Sequence, residues 1–127
     1  VISLHNALTD RTRHLVDARL LGMIRAGALL VNTSRGGVID EAALCAELAR
    51  GRFHAVLDVF EQEPLAQDSP LRSLENVPLI PHMAGPTADL YAVAGRTVIE
   101  EIARFGRNEP LRFEVHWEDT GHMTAKG

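Results

Sequence analysis

Residues 28–37 read Ala-Leu-Leu-Val-Asn-Thr-Ser-Arg-Gly-Gly, and this stretch decides the fold. Its first four residues form a continuous apolar run, which is typical of a strand buried on both faces. The polar residues that follow end in two glycines and indicate a turn after the strand. Similar apolar runs alternate with helical periodicity along the chain, so we expect an α/β fold with a parallel sheet.

Three further apolar runs predict strands over residues 1–4, 53–57 and 77–80, the last of which Pro81 ends. Four short strands are few for a sheet of this kind. The chain also begins with Val1 and a strand-like segment instead of Met. We therefore expect the sequence to be part of a larger fold.

Helical periodicity predicts three helices. The first covers residues 14–24 after a capping signal at residues 9–10. The second begins after Asp40 and ends before Gly51, which is a typical terminator. The third begins at Thr87 and carries an apolar stripe that we expect to pack in a core or against another domain. The stripe consists of Leu90, Ala94, Val98, Ile102 and Phe105.

Composition excludes several classes of protein. The chain has 127 residues and a net charge of −4, and this acidic balance argues against a general nucleic-acid binder. No apolar run is long enough to span a membrane. The single cysteine, Cys45, leaves no internal disulfide and fits a reducing compartment, so we expect a cytoplasmic protein. The spacing of the histidines matches no metal template, so no metal site is predicted.

Polar clusters follow three of the predicted strands, at residues 32–37, 58–64 and 81–85. Ligands of open parallel sheets bind outside the carboxyl ends of the strands. Because these ends share one edge of the sheet, we expect the charged members of the clusters to converge there. Those members are Arg35, a carboxylate from Asp58 or Glu63, and His82.

Each of these residue types has a physical role at such an edge. An arginine binds a carboxylate with two parallel hydrogen bonds, and a histidine takes and gives a proton near neutral pH. A carboxylate beside the histidine favours the imidazolium and prepares it to act as an acid. The residues alone therefore predict a site for a small acid whose neighbouring oxygen gains or loses a proton.

Three ordered blocks of sequence, residues 20–40, 57–65 and 81–87, are similar to the signature of the D-isomer-specific 2-hydroxyacid dehydrogenases. Residues 3–5 also resemble the segment that opens this half of the family's cofactor domain. The resemblance covers roughly residues 2–112. Three blocks with suitable spacing are a much stronger signal than a lone glycine motif.

The resemblance implies a domain organisation. Residues 1–86 would form the C-terminal half of an NAD(P)-binding Rossmann domain, and residues 87–127 a long helix and tail that return to a substrate domain. The sequence has no G-x-G-x-x-G loop, which in the family seats the cofactor pyrophosphate on a helix N-terminus. We therefore expect this chain alone to bind cofactor weakly and to turn over no substrate.

The resemblance also implies an activity and its residues. The protein would transfer a hydride between NAD or NADP and a D-2-hydroxy acid or 2-keto acid, and would be a homodimer at full length. Arg35 would hold the substrate carboxylate, and His82 would act as acid and base with Glu63 as its partner. The cofactor contacts would come from His5, Thr33, Ser34, Arg35, Asp58, His82 and Gly85.

Some alternatives stay open. Glu61 is a rival to Glu63, although it fits a solvated loop charge better, and Asp58 could merely cap the following turn. Cys45 fits a small core residue better than a nucleophile. The other histidines, His14, His54, His116 and His122, fit ordinary surface or half-buried positions. At the level of function, a corepressor-like NAD(H)-binding protein or an inactive half-domain of the same fold would contain the same motifs.

Overall fold

Three short parallel strands form the sheet of this computed structural model, which describes residues 1–123. They are β1 (Ile2–Leu4), β2 (Leu29–Asn32) and β3 (His54–Leu57), and they lie side by side in that order. This arrangement confirms the predicted α/β fold with a parallel sheet. The strand predicted over residues 77–80 was wrong, because only Leu79 forms a bridge, to Leu57. Pro78 lacks the N–H group that would add a further hydrogen bond to this pairing.

The central strand is less buried than its apolar run predicts. Leu30 and Asn32 are buried, whereas Leu29 and Val31 are only half-buried. The expectation of burial on both faces was therefore only partly right. The buried positions hold the sheet against the helices, and the polar Asn32 is among them.

Two helices pack with the sheet, α1 (Ala18–Gly22) and α2 (Glu41–Ala49). Asp40 caps α2 as predicted, since its side chain accepts a hydrogen bond from Ala43 N at 3.0 Å. Gly51 follows this helix with a φ of +68°, a left-handed conformation that glycine adopts at low cost.

The first helix is much shorter than predicted. Residues 9–14 form turns, and the hydroxyl of Thr12 stabilises them by donating to Ala7 O at 2.6 Å. His14 has a φ of +51°, and Val16 forms a bridge with Ile39. The helix begins only after Asp17, whose side chain accepts from Leu20 N. Local side-chain bonds thus replace the first turns of the predicted helix.

The hydrophobic core lies entirely within the first of two compact units, Val1–Met83 and Ala84–Gly121. It is built around the sheet and α2, and its most buried large members are Leu21, Leu30, Leu44, Leu48, Phe53 and Leu71. Short 3₁₀ helices at Gly36–Val38 and Pro70–Ser73 connect its elements.

The second unit contains α3 (Ala88–Gly106), and a 3₁₀ helix at Trp117–His122 begins near the end of that unit. No residue of α3 is buried in the structure, and the predicted stripe is exposed or half-buried throughout. Of the two expectations for this stripe, packing in a core formed by the described residues is not observed, and packing against another domain stays a prediction. The two-domain assignment stays a prediction, and residues 124–127 of its tail lie outside the described residues. Within residues 1–123, no helix combines the length and the apolar character needed to cross a bilayer.

Candidate active site

The polar clusters emerge from one edge of the sheet. Leu4 pairs with Asn32, Asn32 pairs with Leu57, and Leu57 bridges to Leu79, so these four residues form a row across the sheet. The chain continues from the row into His5, residues 33–37, residues 58–64 and residues 80–83. The sheet register therefore brings the predicted site segments to the same edge.

Arg35 projects from a turn that Asn32 organises. The Asn32 side chain is buried and accepts hydrogen bonds from Ser34 N at 3.1 Å and Ser34 Oγ at 2.9 Å. Its Nδ2 donates to Arg35 O at 3.1 Å. Arg35 itself is exposed, and its guanidinium donates to Ser34 O at 2.7 Å. Among residues 1–123 it pairs with no carboxylate, so it is available to an anionic ligand.

The turn that carries Arg35 lies directly against the loop after β3. A Cβ on Gly36 would fall 1.9 Å from both the carbonyl carbon and the carbonyl oxygen of Phe60. Only glycine allows this approach, because a backbone neighbour cannot rotate away as a side chain can. The glycine brings the Arg35 turn against the loop that carries Glu63.

Asp58 shapes the turn that carries His82. Its side chain is buried, and Oδ1 accepts from Met83 N at 2.7 Å, while its carbonyl oxygen accepts from His82 N at 2.9 Å. His82 has a φ of +52°, which is uncommon for a residue with a side chain. These bonds hold His82 in that conformation. The predicted contact between Asp58 and the cofactor stays a prediction.

His82 and Glu63 form a hydrogen-bonded pair, with Nδ1 of the histidine 2.7 Å from Oε2 of the glutamate. The other carboxylate oxygen, Oε1, accepts from Phe60 N at 3.0 Å, which fixes the orientation of the carboxylate. Because an ionised carboxylate only accepts, the proton of this bond is on Nδ1. Nε2 of His82 has no hydrogen-bond partner within residues 1–123, and the ring is about half exposed.

Glu63 is ionised more readily than an ordinary glutamate. Burial raises the pKa of its carboxyl group, and the hydrogen bonds from His82 and Phe60 N lower it. The charge of nearby Asp58 also raises it, but the net pKa lies below the usual value. A carboxylate that stays charged keeps its hydrogen bond with Nδ1 of His82.

Glu61 and His14 are both exposed, which agrees with the predicted loop charge and surface histidine, and their side chains contact each other. Nε2 of His14 lies 2.5 Å from Oε1 of Glu61, and the backbone N–H of Glu61 donates to Glu41 Oε2 at 2.9 Å. These contacts fasten the loop two residues before Glu63. The two residues are 47 positions apart, so no local pattern in the sequence indicates the pair.

Two cavities open beside these residues. One has a volume of about 340 Å³ and is lined by His5, Asn6, Ala7, Thr33, Ser34 and Arg35. Its volume lies at the low end for ligand pockets, which suits one end of a dinucleotide. The other has a volume of about 640 Å³, contains Glu63 and His82, and is lined mainly by apolar residues such as Phe60, Leu65 and Leu79.

The remaining predicted residues are placed as follows. His5 lines the smaller cavity, where its Nε2 lies 2.9 Å from Ser3 Oγ. Gly85 belongs to the second unit, and a Cβ there would meet no atom within 4 Å. Cys45 is half-buried against the core, and burial raises the pKa of its thiol, as does the charge of Glu41. Within the part of the chain that the structure describes, no group of three His, Cys, Asp or Glu residues could hold a metal ion.

Comparison with known proteins identifies relatives of this chain. Residues 1–84 match the family model described as D-isomer specific 2-hydroxyacid dehydrogenase, NAD binding domain. The (S)-sulfolactate dehydrogenase of Chromohalobacter salexigens is 49% identical over 87 residues, which are 68% of this chain and 28% of that protein. A glyoxylate/hydroxypyruvate reductase B of Escherichia coli is 51% identical over 81 residues, 63% of this chain and 25% of that protein.

A solved structure is similar as well. It is a D-isomer specific 2-hydroxyacid dehydrogenase from Xanthobacter autotrophicus Py2, in complex with NADPH and MES. It matches with a TM-score of 0.79 and 39% identity, over 90% of this chain and 47% of that one. The chain thus spans about a quarter of the length of the two curated relatives above and about half of this solved chain.

Proposed function

The chain belongs to the D-isomer specific 2-hydroxyacid dehydrogenase family, as its sequence blocks predict, and from that premise we propose that its full-length protein is an NAD(P)-dependent dehydrogenase of 2-hydroxy acids. The substrate would be a small 2-keto acid in one direction and the corresponding D-2-hydroxy acid in the other. The observation that carries the proposal is the His82–Glu63 pair, which lies at the same edge of the sheet as Arg35. Within residues 1–123, Nε2 of His82 has no hydrogen-bond partner and the Arg35 guanidinium has no carboxylate partner.

Arg35 would bind the carboxylate of the substrate. Its planar guanidinium offers two parallel N–H groups, which match the two oxygens of a carboxylate. Binding there would orient the adjacent carbonyl carbon and leave its oxygen to a proton donor. The positive charge would also polarise that carbonyl group.

His82 would exchange the proton. In reduction, Nε2 of the imidazolium donates its proton to the carbonyl oxygen, which becomes the hydroxyl group, and the neutral ring remains. In oxidation, the neutral ring takes that proton back from the hydroxyl group. Glu63 would hold the ring through Nδ1 in both directions and stabilise its charged form.

The residues around the smaller cavity fit the nicotinamide end of the cofactor. Thr33, Ser34 and His5 present polar groups at the carboxyl ends of β1 and β2, where dinucleotides bind in parallel sheets. When bound, the nicotinamide supplies or accepts the hydride at the substrate carbon that bears the oxygen. The chain's own residues contribute binding, orientation and the proton.

Replacement of His82 with Asn in the full-length protein tests the proposal. Turnover with glyoxylate, pyruvate and hydroxypyruvate should fall at least about a hundredfold. The dissociation constant of the cofactor should change far less, because His82 is only one of several predicted cofactor contacts. His54→Asn is the matched control, because His54 is an exposed histidine that lies outside the site. Unchanged turnover in His82→Asn would remove His82 from the mechanism. A wild-type protein that binds cofactor but transfers no hydride would instead be a binding protein of this fold.

A further inference from the structure

Asn32 is a buried polar side chain to which the proposed mechanism gives no role. It lies at the end of β2, is 1% exposed, and stands one residue before the turn that carries Thr33, Ser34 and Arg35. A buried carboxamide is unfavourable unless its groups are hydrogen-bonded, so its partners indicate what it does. All the side-chain partners of Asn32 given above belong to that turn.

We propose that Asn32 is a positioning residue, whose carboxamide holds the backbone of Arg35 so that the guanidinium can receive the substrate carboxylate. The inference rests on the proposed function, because it assumes that Arg35 binds substrate. Asn32 itself touches neither substrate nor cofactor in this scheme. It acts through the turn that it closes.

The chemistry of the partners determines which way the carboxamide points. The backbone N–H of Ser34 can only donate and the carbonyl of Arg35 can only accept, so Oδ1 faces Ser34 and Nδ2 faces Arg35. An aspartate at this position would keep the acceptor for Ser34 and lose the donor for Arg35. No other side chain of similar size supplies both a donor and an acceptor in this geometry.

Asn32 also connects the two turns of the site. The carbonyl of Arg35 accepts from Val38 N at 3.3 Å as well as from Asn32, so one oxygen joins the turn to the following 3₁₀ helix. The carbonyl of Asn32 accepts from Asp58 N at 3.0 Å, and Asp58 in turn holds the backbone of His82 and Met83. A displacement of the Asn32 side chain would therefore shift the backbone of Arg35, because the two are directly hydrogen-bonded.

Precise placement of Arg35 matters because bidentate binding depends on geometry. A misplacement of about 1 Å in a positioning group can reduce a rate by about a hundredfold. Asn76 provides a matched comparison, since its Nδ2 donates to Leu48 O and Phe53 O at 2.9 Å, away from every predicted site residue. Both asparagines stabilise backbone turns, but only Asn32 holds a site residue.

Asn32→Asp and Asn76→Asp should therefore differ in the full-length protein. We expect kcat/KM for the 2-keto acid to fall at least about thirtyfold in Asn32→Asp and less than about threefold in Asn76→Asp. In an Arg35→Lys background, the additional loss from Asn32→Asp should shrink to within about threefold, because both changes act on one interaction. Fully additive losses, or equal losses in the two aspartate variants, would overturn the proposal.

Amide hydrogen exchange provides a readout that does not depend on turnover. The Val38 amide, which shares the Arg35 carbonyl, should exchange at least about tenfold faster in Asn32→Asp relative to the amides of β2, and should be unchanged in Asn76→Asp. Asn32→Ala replaces Asn32→Asp if the buried carboxylate prevents folding. If the wild-type protein reduces no 2-keto acid, the proposed function fails, and unchanged Val38 exchange would separately overturn the role of Asn32.

Discussion

The two units of the chain use their apolar residues in opposite ways. Every core residue lies in Val1–Met83, where short strands and α2 bury side chains as large as Phe53 completely. The longest helix, α3, buries none, although its sequence is clearly amphipathic. Its exposed large residues are Leu90, Tyr91, Val93, Val98, Ile99, Ile102 and Phe105. An apolar stripe therefore identifies a surface that can be buried, but it does not identify the element that covers it.

The candidate site depends on the close packing of the first unit. The turns that carry Arg35 and His82 are held by buried polar groups, Asn32 and Asp58, directly above the core. Such groups are satisfied only when the backbone around them is fixed. The comparison therefore predicts that equivalent substitutions have large effects in the first unit and small effects in the second.

Glycine substitutions should give the largest contrast. Gly36→Ala forces a Cβ into the Phe60 backbone, so we expect the free energy of unfolding to fall by more than about 4 kcal/mol. Gly95→Ala, inside α3, adds a Cβ that meets nothing within 4 Å and should stabilise the helix by about 0.5–1 kcal/mol. Urea titration of both variants measures the difference. Similar values for the two would show that the close approach at Gly36 is not required.

Helix caps should give a smaller contrast. The carboxylate of Asp40 accepts from Ala43 N at the start of α2, and its replacement with Ala should cost about 1 kcal/mol. The side chain of Thr87 makes no capping hydrogen bond to α3, so Thr87→Ala should change the free energy of unfolding by less than about 0.5 kcal/mol. Equal losses from the two substitutions, measured by urea titration, would contradict the comparison.

Local signals in the sequence predicted much of the first unit. Asp40 and Gly51 mark the ends of α2, because capping and termination depend on neighbouring residues. The helix predicted over residues 14–24 covers only Ala18–Gly22, because Thr12 and Asp17 form side-chain bonds that compete with its first turns. The strand at residues 77–80 was wrong because proline removes ladder donors, a consequence that the apolar run conceals.

The candidate site also has residues that the sequence predicted and residues that it missed. Arg35 and His82 could be selected because they follow predicted strand ends, whereas Glu63 was preferred to the other carboxylates only through the family resemblance. The structure places Glu63 against His82. Asn32 and the His14–Glu61 pair were missed, since their importance depends on contacts that arise only after folding. For Asn32 the sequence shows only a polar residue at the end of an apolar run. It does not show that the side chain is buried, which is the observation that points to its role.

The smallest contrast concerns carboxylates and pH. The pKa values of Glu63 and Glu109 both lie below the ordinary value. At Glu63, burial raises the pKa, but the hydrogen bonds from His82 and Phe60 N outweigh burial. At Glu109, the hydrogen bond from Arg107 is the main cause of the lowered pKa. Each carboxylate therefore contributes stability that is present above the ordinary carboxyl pKa of about 4.3 and is lost as the pH falls through the folded-state pKa. The stability difference between wild type and Glu63→Gln should shrink between about pH 5 and pH 3, and so should that of Glu109→Gln.

Salt should separate the two carboxylates. The Arg107–Glu109 pair lies on the surface, where ion pairs weaken as salt is added, so the pH-dependent difference for Glu109→Gln should become markedly smaller in about 1 M NaCl. Glu63 also accepts from Phe60 N through Oε1, and this hydrogen bond does not depend on a mobile countercharge. Part of its pH-dependent difference should therefore persist in high salt, as measured by urea titration across the same pH range. Equal salt sensitivity at the two positions would contradict this expectation. It would mean that Glu63 behaves as a surface ion pair with His82 and that the hydrogen bond from Phe60 N contributes little.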